Sequence, residues 1–109
     1  MKVKELCELE DFTALSLPSP EREIDGVYIG DLLSWVMGRA ACDNAWITIM
    51  SNINILAVAS LSDVSCIILS EGVNPDSDVL STAKDKGINV ITTQLSSYEA
   101  SIQLHKLGI

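Results

Sequence analysis

Basic residues are scarce in this chain. Seven Lys and Arg stand against fifteen Asp and Glu, a formal net charge of −8 over 109 residues. A field of that sign repels phosphate backbones and anionic head groups, so neither nucleic acid nor a membrane is an expected partner. Cysteine is also sparse: Cys7, Cys42 and Cys66 are odd in number, far apart and without a C-x-x-C pair. That excludes a disulfide framework and a zinc site, and a reducing cytoplasm is the expected setting. The one histidine, His105, has no histidine or cysteine at metal-ligand spacing and is expected on the surface. No uncharged apolar run approaches the ~20 residues that span a bilayer, and the start, Met1 to Cys7, has no apolar signal region.

Phosphate cradles are missing too. There is neither a G-x-x-x-x-G-K-[ST] loop nor a G-x-G-x-x-G after a strand. Cys42 as a nucleophile would need a base and an oxyanion donor, and its polar neighbours Asp43 and Asn44 more naturally make a turn. The expectation is therefore a protein that is not an enzyme and carries no cofactor and no metal.

What is present is an aliphatic composition, 48% hydrophobic with only 5% aromatic, which suits an α/β core in one domain over residues 1–109. Residues 64–79 show its organising unit. Cys66, Ile67, Ile68 and Leu69 form an apolar run without alternation, as in a strand covered on both faces. Gly72 permits a sharp turn, and Asn74 and Pro75 suit the cap and first position of a helix, with Asp76 and Asp78 at its positive end.

Before this unit, Val3, Leu6, Cys7 and Leu9 predict a short amphipathic helix, and residues 13–17 a strand that Pro18-Ser-Pro20 stops. The charged stretch Glu21-Arg-Glu23 is the best candidate for a mobile loop. A strand through Ile24, Val27 and Ile29 leads to a helix with Leu32, Leu33, Val36 and Met37 on one face, ended by Gly38. Residues 46–50 predict a strand by their β-branched content, with Ser51 or Asn52 capping the next helix. That helix, with Ile53, Ile55, Leu56, Ala57, Val58, Ala59 and Leu61, is apolar nearly all round. Either a second protomer or the chain's own loops must cover it. After the central unit, Val79, Leu80 and Ala83 point inward and Gly87 caps the helix; a strand follows at 88–92. Ser96 and Glu99 then form a capping box for a last helix with Ala100, Leu104 and Leu107 inward. Repeated strand–helix units predict a small three-layer α/β domain with a mostly parallel sheet of about five strands and flanking helices.

Such sheets bind ligands beyond the carboxyl ends of their strands. The residues at those ends are Ser51, Asn52, Ile53 and Asn54, then Ser70, Glu71 and Gly72, then Thr92, Thr93 and Gln94 with Ser96. An anion would prefer the uncharged first group, because Glu71, Asp76 and Asp78 guard the second. Ser51, Asn52 and Ser96 can equally be ordinary helix caps. Trp35 and Trp46 are expected as core or dimer contacts.

Four segments carry a family resemblance: Gly26-Val-Tyr-Ile-Gly-Asp-Leu-Leu-Ser-Trp-Val-Met-Gly38; Trp46-Ile-Thr-Ile49; Cys66-Ile-Ile-Leu-Ser-Glu-Gly72 with Pro75; and Gly87-Ile-Asn-Val-Ile-Thr-Thr93 with Ser96-Ser-Tyr-Glu-Ala100. From about residue 24 onward the chain resembles the DRTGG domain. This small α/β module is similar to the N-terminal domain of HPr kinase/phosphorylase and also occurs in phosphotransacetylases and CBS-domain pyrophosphatases. Where many family members carry a Gly-Asp-Arg-like turn and a Gly-Gly pair, this chain has Met50-Ser-Asn-Ile53 and Glu71-Gly72. The resemblance implies a non-catalytic regulatory module, often a homodimer, with a nucleotide or other small ligand at the strand ends. The alternative is an interaction or scaffolding module that binds a partner protein, associated with redox or hydrogenase-related proteins, and has no small ligand.

Overall fold

The computed structural model describes residues 1–109. Its five strands are β1 (Thr13–Ser16), β2 (Gly26–Ile29), β3 (Asn44–Thr48), β4 (Cys66–Leu69) and β5 (Val90–Thr92). They form one sheet in the order β1-β5-β4-β3-β2. Every pair is parallel except β1 with β5, where Thr13 faces Thr92 across an antiparallel ladder. The helices are α1 (Val3–Leu6), α2 (Leu33–Arg39), α3 (Asn54–Ser62), α4 (Ser77–Asp85) and α5 (Ser97–Lys106). The expected three-layer α/β class is the one observed.

The chain steps from β2 to β5 in one direction across the sheet, so crossovers of one hand put successive helices on one face. Val36 of α2, Ile55, Leu56, Val58 and Ala59 of α3 and Val79 and Ala83 of α4 accordingly share a core with Trp46, Ile67, Leu69 and Val90. The alternate strand residues, Ala45, Ile47, Cys66, Ile68 and Ile91, pack on the opposite face against Val3 and Leu6 of α1 and Ala100 and Leu104 of α5. The unbroken apolar runs of β3 and β4 are thus the mark of strands covered twice. At about 1.5–3 kcal/mol for each large side chain removed from water, these strands are the main source of stability.

Several local expectations need correction. The stretch 18–25 is pinned rather than mobile. The backbone of Ser19 donates to Asn89 Oδ1 and accepts from Asn89 Nδ2, while Arg22 pairs with Asp43 and Asp63. Glu21, Arg22 and Glu23 all find partners within the chain, so these charges mark a clasp. Gly38 does not end α2, which runs on to Arg39, whose guanidinium sits 4.1 Å from the Trp35 ring centroid. Of the residues expected on one helical face, Val36 and Leu33 meet the core, whereas Leu32 and Met37 are exposed. The strand predicted to reach Met50 stops at Thr48, because Asp31 Oδ1 takes the Ile49 N–H and Thr48 Oγ1 takes that of Met50. α4 starts at Ser77 after Asp76, so Asn74 and Pro75 belong to the preceding turn. β5 begins at Val90 rather than Ile88, and the Asn89 side chain just before it reaches Ser19 and Ser65. Leu107, expected inward, is the C-cap of α5 and is exposed. The cap of α3 is Ile53 rather than Ser51 or Asn52, and Asn52 instead closes a turn before the helix by accepting from the Asn54 N–H. The left-handed Gly72 and Gly87 and the Ser96–Glu99 capping box are as expected.

Candidate functional site

Helix placement determines where a crevice can open. From β4 the chain leaves to one face of the sheet through α4, and from the neighbouring β5 it leaves to the other through α5. Connections that part in this way create the usual ligand position of a parallel sheet. Here the parting is laced shut. Glu71 and Gly72 are both left-handed, with φ of 61° and 71°, and their N–H groups donate to the carbonyls of Leu95 and Thr93. The hydroxyls of Ser70 and Ser97 lie 2.9 Å apart beneath. Gln94 covers Gly72 so closely that a methyl group there would lie 2.7 Å from its side-chain oxygen. Glu71, Gly72 and Thr93 are therefore brought together, with Ser96 held one turn away as the cap of α5, its Oγ accepting from the Glu99 N–H.

Ser51, Asn52 and Asn54 form a separate group beyond β3. Asn52 Oδ1 accepts from the Asn54 N–H, and the N–H groups of Ile55 and Leu56 bond to the carbonyls of Asn52 and Ile53. The first-turn donors of α3 are thus filled from within. Ser51 is half-buried and Asn54 exposed, and neither side chain is hydrogen-bonded. Asp31, at the end of β2, organises this corner by accepting from Thr48 Oγ1 at 2.8 Å and from the Ile49 N–H at 3.0 Å.

Open space lies one strand further over. A cavity of about 230 Å³ is lined by Glu10, Asp11, Thr13, Thr92, Thr93 and Gln94. Thr92, Thr93 and Gln94 are the members that the sequence pointed to. Neither Glu10 nor Asp11 takes part in an ion pair, so the mouth offers two free carboxylates beside hydroxyl and amide groups. It is built to accept hydrogen bonds from amino or hydroxyl groups, and it repels phosphate. Glu10 and Asp11 were missed because their placement depends on β1 running antiparallel beside β5, and no local pattern records that pairing. A larger concavity of about 440 Å³ at the other end of the sheet is an open dish lined by Pro18, Ser19, Pro20, Glu21 and Arg22. Its charged groups are already paired with Lys2, Lys4, Asp43 and Asp63.

The cysteines offer no activated nucleophile. Cys42 Sγ donates to Asp63 Oδ2 at 3.2 Å, and that bond, with some burial and the nearby Asp43 charge, holds the thiol above its ordinary range. Burial pushes the Cys7 and Cys66 thiols up. No helix is long and apolar enough to cross a membrane.

The profile of the DRTGG domain family matches residues 22–107. No curated protein matches the chain. Among solved structures, the chain is similar to the CBS and DRTGG domains of the regulatory region of Clostridium perfringens pyrophosphatase, complexed with its activator diadenosine tetraphosphate. Identity is 22%, the TM-score is 0.65, and the match covers 83% of this chain but 40% of that one. The likeness establishes a shared fold.

Proposed function

The chain belongs to the DRTGG domain family, and from that premise we propose that it is a non-catalytic regulatory module, one domain over residues 1–109, which pairs with a second copy and binds a small ligand at the carboxyl ends of its strands. The observation that carries this reading is the polar cavity at Thr92, Thr93 and Gln94, lying one strand beyond the point where the connections part and presenting the unpaired carboxylates of Glu10 and Asp11. A nucleotide fits the chemistry in one orientation. Its amino and ribose hydroxyl groups donate into the acidic cavity and to the Glu71 carboxylate beside Gly72, and its phosphates point away toward the uncharged Ser51, Asn52 and Asn54, with Thr93 and Ser96 between. Occupation by a nucleotide in the similar regulatory region supports that class. The cytoplasm, where nucleotides are abundant and thiols stay reduced, is the matching compartment.

The test is a thermal-shift screen against adenine nucleotides, including diadenosine tetraphosphate and ATP. A ligand at 100 times its Kd stabilises by ~2.7 kcal/mol, several degrees for a domain of this size. The expected result is a shift that Glu10→Gln with Asp11→Asn removes; both side chains are exposed, so the fold tolerates the exchange. A flat response to every nucleotide overturns the ligand reading.

A further inference from the structure

We infer that a second copy docks on the face shared by α2 and α3, with the two α3 helices antiparallel about a two-fold axis that passes Ala57. This rests on the reading that the chain pairs with itself and says where and how. α3 remains incompletely covered in the folded chain. α2 packs along one flank and the sheet lies beneath, yet Ile53 is 47% and Leu61 75% exposed, with Ala57 open between them. The three fall at i, i+4 and i+8, one straight stripe about 12 Å long.

The order large, small, large reads the same from both ends. A two-fold interface requires self-complementarity: if one residue meets another across the axis, the reverse contact must also form. With antiparallel helices Ile53 meets the partner's Leu61, Leu61 meets the partner's Ile53, and Ala57 faces itself where only a small side chain lets the helices close to 8–10 Å. The stripe fits a copy of itself better than it fits an arbitrary apolar surface.

Charge selects the same face. The carboxylates within or bordering residues 32–62 are Asp31, Asp43 and Asp63, and all are engaged: Asp43 and Asp63 pair with Arg22, and Asp31 accepts from Thr48 and Ile49. Two copies at −8 each repel on approach, and on this surface the nearby carboxylates are already neutralised or bonded within the chain. Beside the stripe, Trp35 is 55% exposed and carries Arg39 over its ring, an aromatic and arginine pair of the kind that anchors interfaces.

The test is sedimentation equilibrium on the full chain and on Ala57→Glu, which sets two like charges against each other on the axis without touching the core. Wild type is expected to dimerise, and the variant to dissociate about 30-fold or more readily, with unchanged helical circular dichroism. A second variant, Ala57→Cys in a Cys42→Ser background, is expected to cross-link to a covalent dimer under mild oxidation, whereas Leu61→Cys in the same background stays single because it faces the partner's Ile53. A dimeric wild type whose Ala57→Glu form is equally dimeric, or whose Ala57→Cys form does not cross-link, overturns this face and leaves the pairing intact. A wild type that is monomeric throughout overturns both, and a different protein seated on this face in a stoichiometric complex overturns it in favour of a heterologous partner.

Discussion

Replacing Asn89 by alanine should both destabilise the protein and free the segment 18–25. The Asn89 side chain is 1% exposed and makes three hydrogen bonds. Its Oδ1 accepts from the Ser19 N–H at 2.9 Å, and its Nδ2 donates to the carbonyls of Ser19 at 2.7 Å and Ser65 at 2.9 Å. Removing it strands the buried Ser65 carbonyl at about 1–3 kcal/mol, and the two half-buried Ser19 groups lose about 0.5–1.5 kcal/mol each. Because Ser19 can recover water, the sum is about 3 kcal/mol. For a domain near this size that is a fall in Tm of about 12 °C. Urea denaturation measures the first effect and timed trypsin digestion the second, since the Arg22–Glu23 bond should become the earliest cleavage site. Asn89→Asp should be no better than alanine, because it places an acceptor where two carbonyls need a donor. A loss under about 0.5 kcal/mol with the Arg22–Glu23 bond still protected would refute the claim that this side chain ties the segment down.

Three further outcomes are expected. Hydrogen bonds from Lys2 and Lys4 draw the Glu21 carboxyl from 4.5 down to about 2. Its contribution is therefore complete above pH 4.5 and lost as pH falls through about 2; urea midpoints over that window should drop in wild type, and less steeply in Glu21→Gln or in high salt. Asp63→Asn removes the main group that holds the Cys42 thiol up, so alkylation of Cys42 at pH 8 should quicken several-fold while the buried Cys66 stays protected in the fold. Gly72→Ala must adopt a φ of 71° and press on Gln94, so it should cost about 1–3 kcal/mol by urea denaturation, more than an alanine at exposed Gly38, which has nothing within 4 Å.

What could be read from the sequence was whatever local pattern dictates. The twice-covered β4, the Gly87 cap and the Ser96–Glu99 box depend on residues a few positions apart, so they were legible. The clasp through Asn89 and Arg22 joins residues separated by up to 70 positions, and a charged, proline-flanked segment looks mobile until its distant partners are known. The same limit applies to the site. Candidates on the βα turns were named from strand ends alone, and the structure joins Glu71, Gly72 and Thr93 while setting Ser51, Asn52 and Asn54 apart. Glu10 and Asp11 reach the cavity only because β1 doubles back along β5. A helix apolar on every side did signal an uncovered surface, for α3 has more apolar faces than one sheet and one neighbouring helix can cover.

The most direct measurement is a nitrogen-resolved NMR titration of the labelled chain with ATP and with diadenosine tetraphosphate. The account predicts saturable shifts confined to residues 10–13, 51–54, 71–72 and 92–97. Shifts at the 18–22 end of the sheet instead, or none at either end, would contradict it.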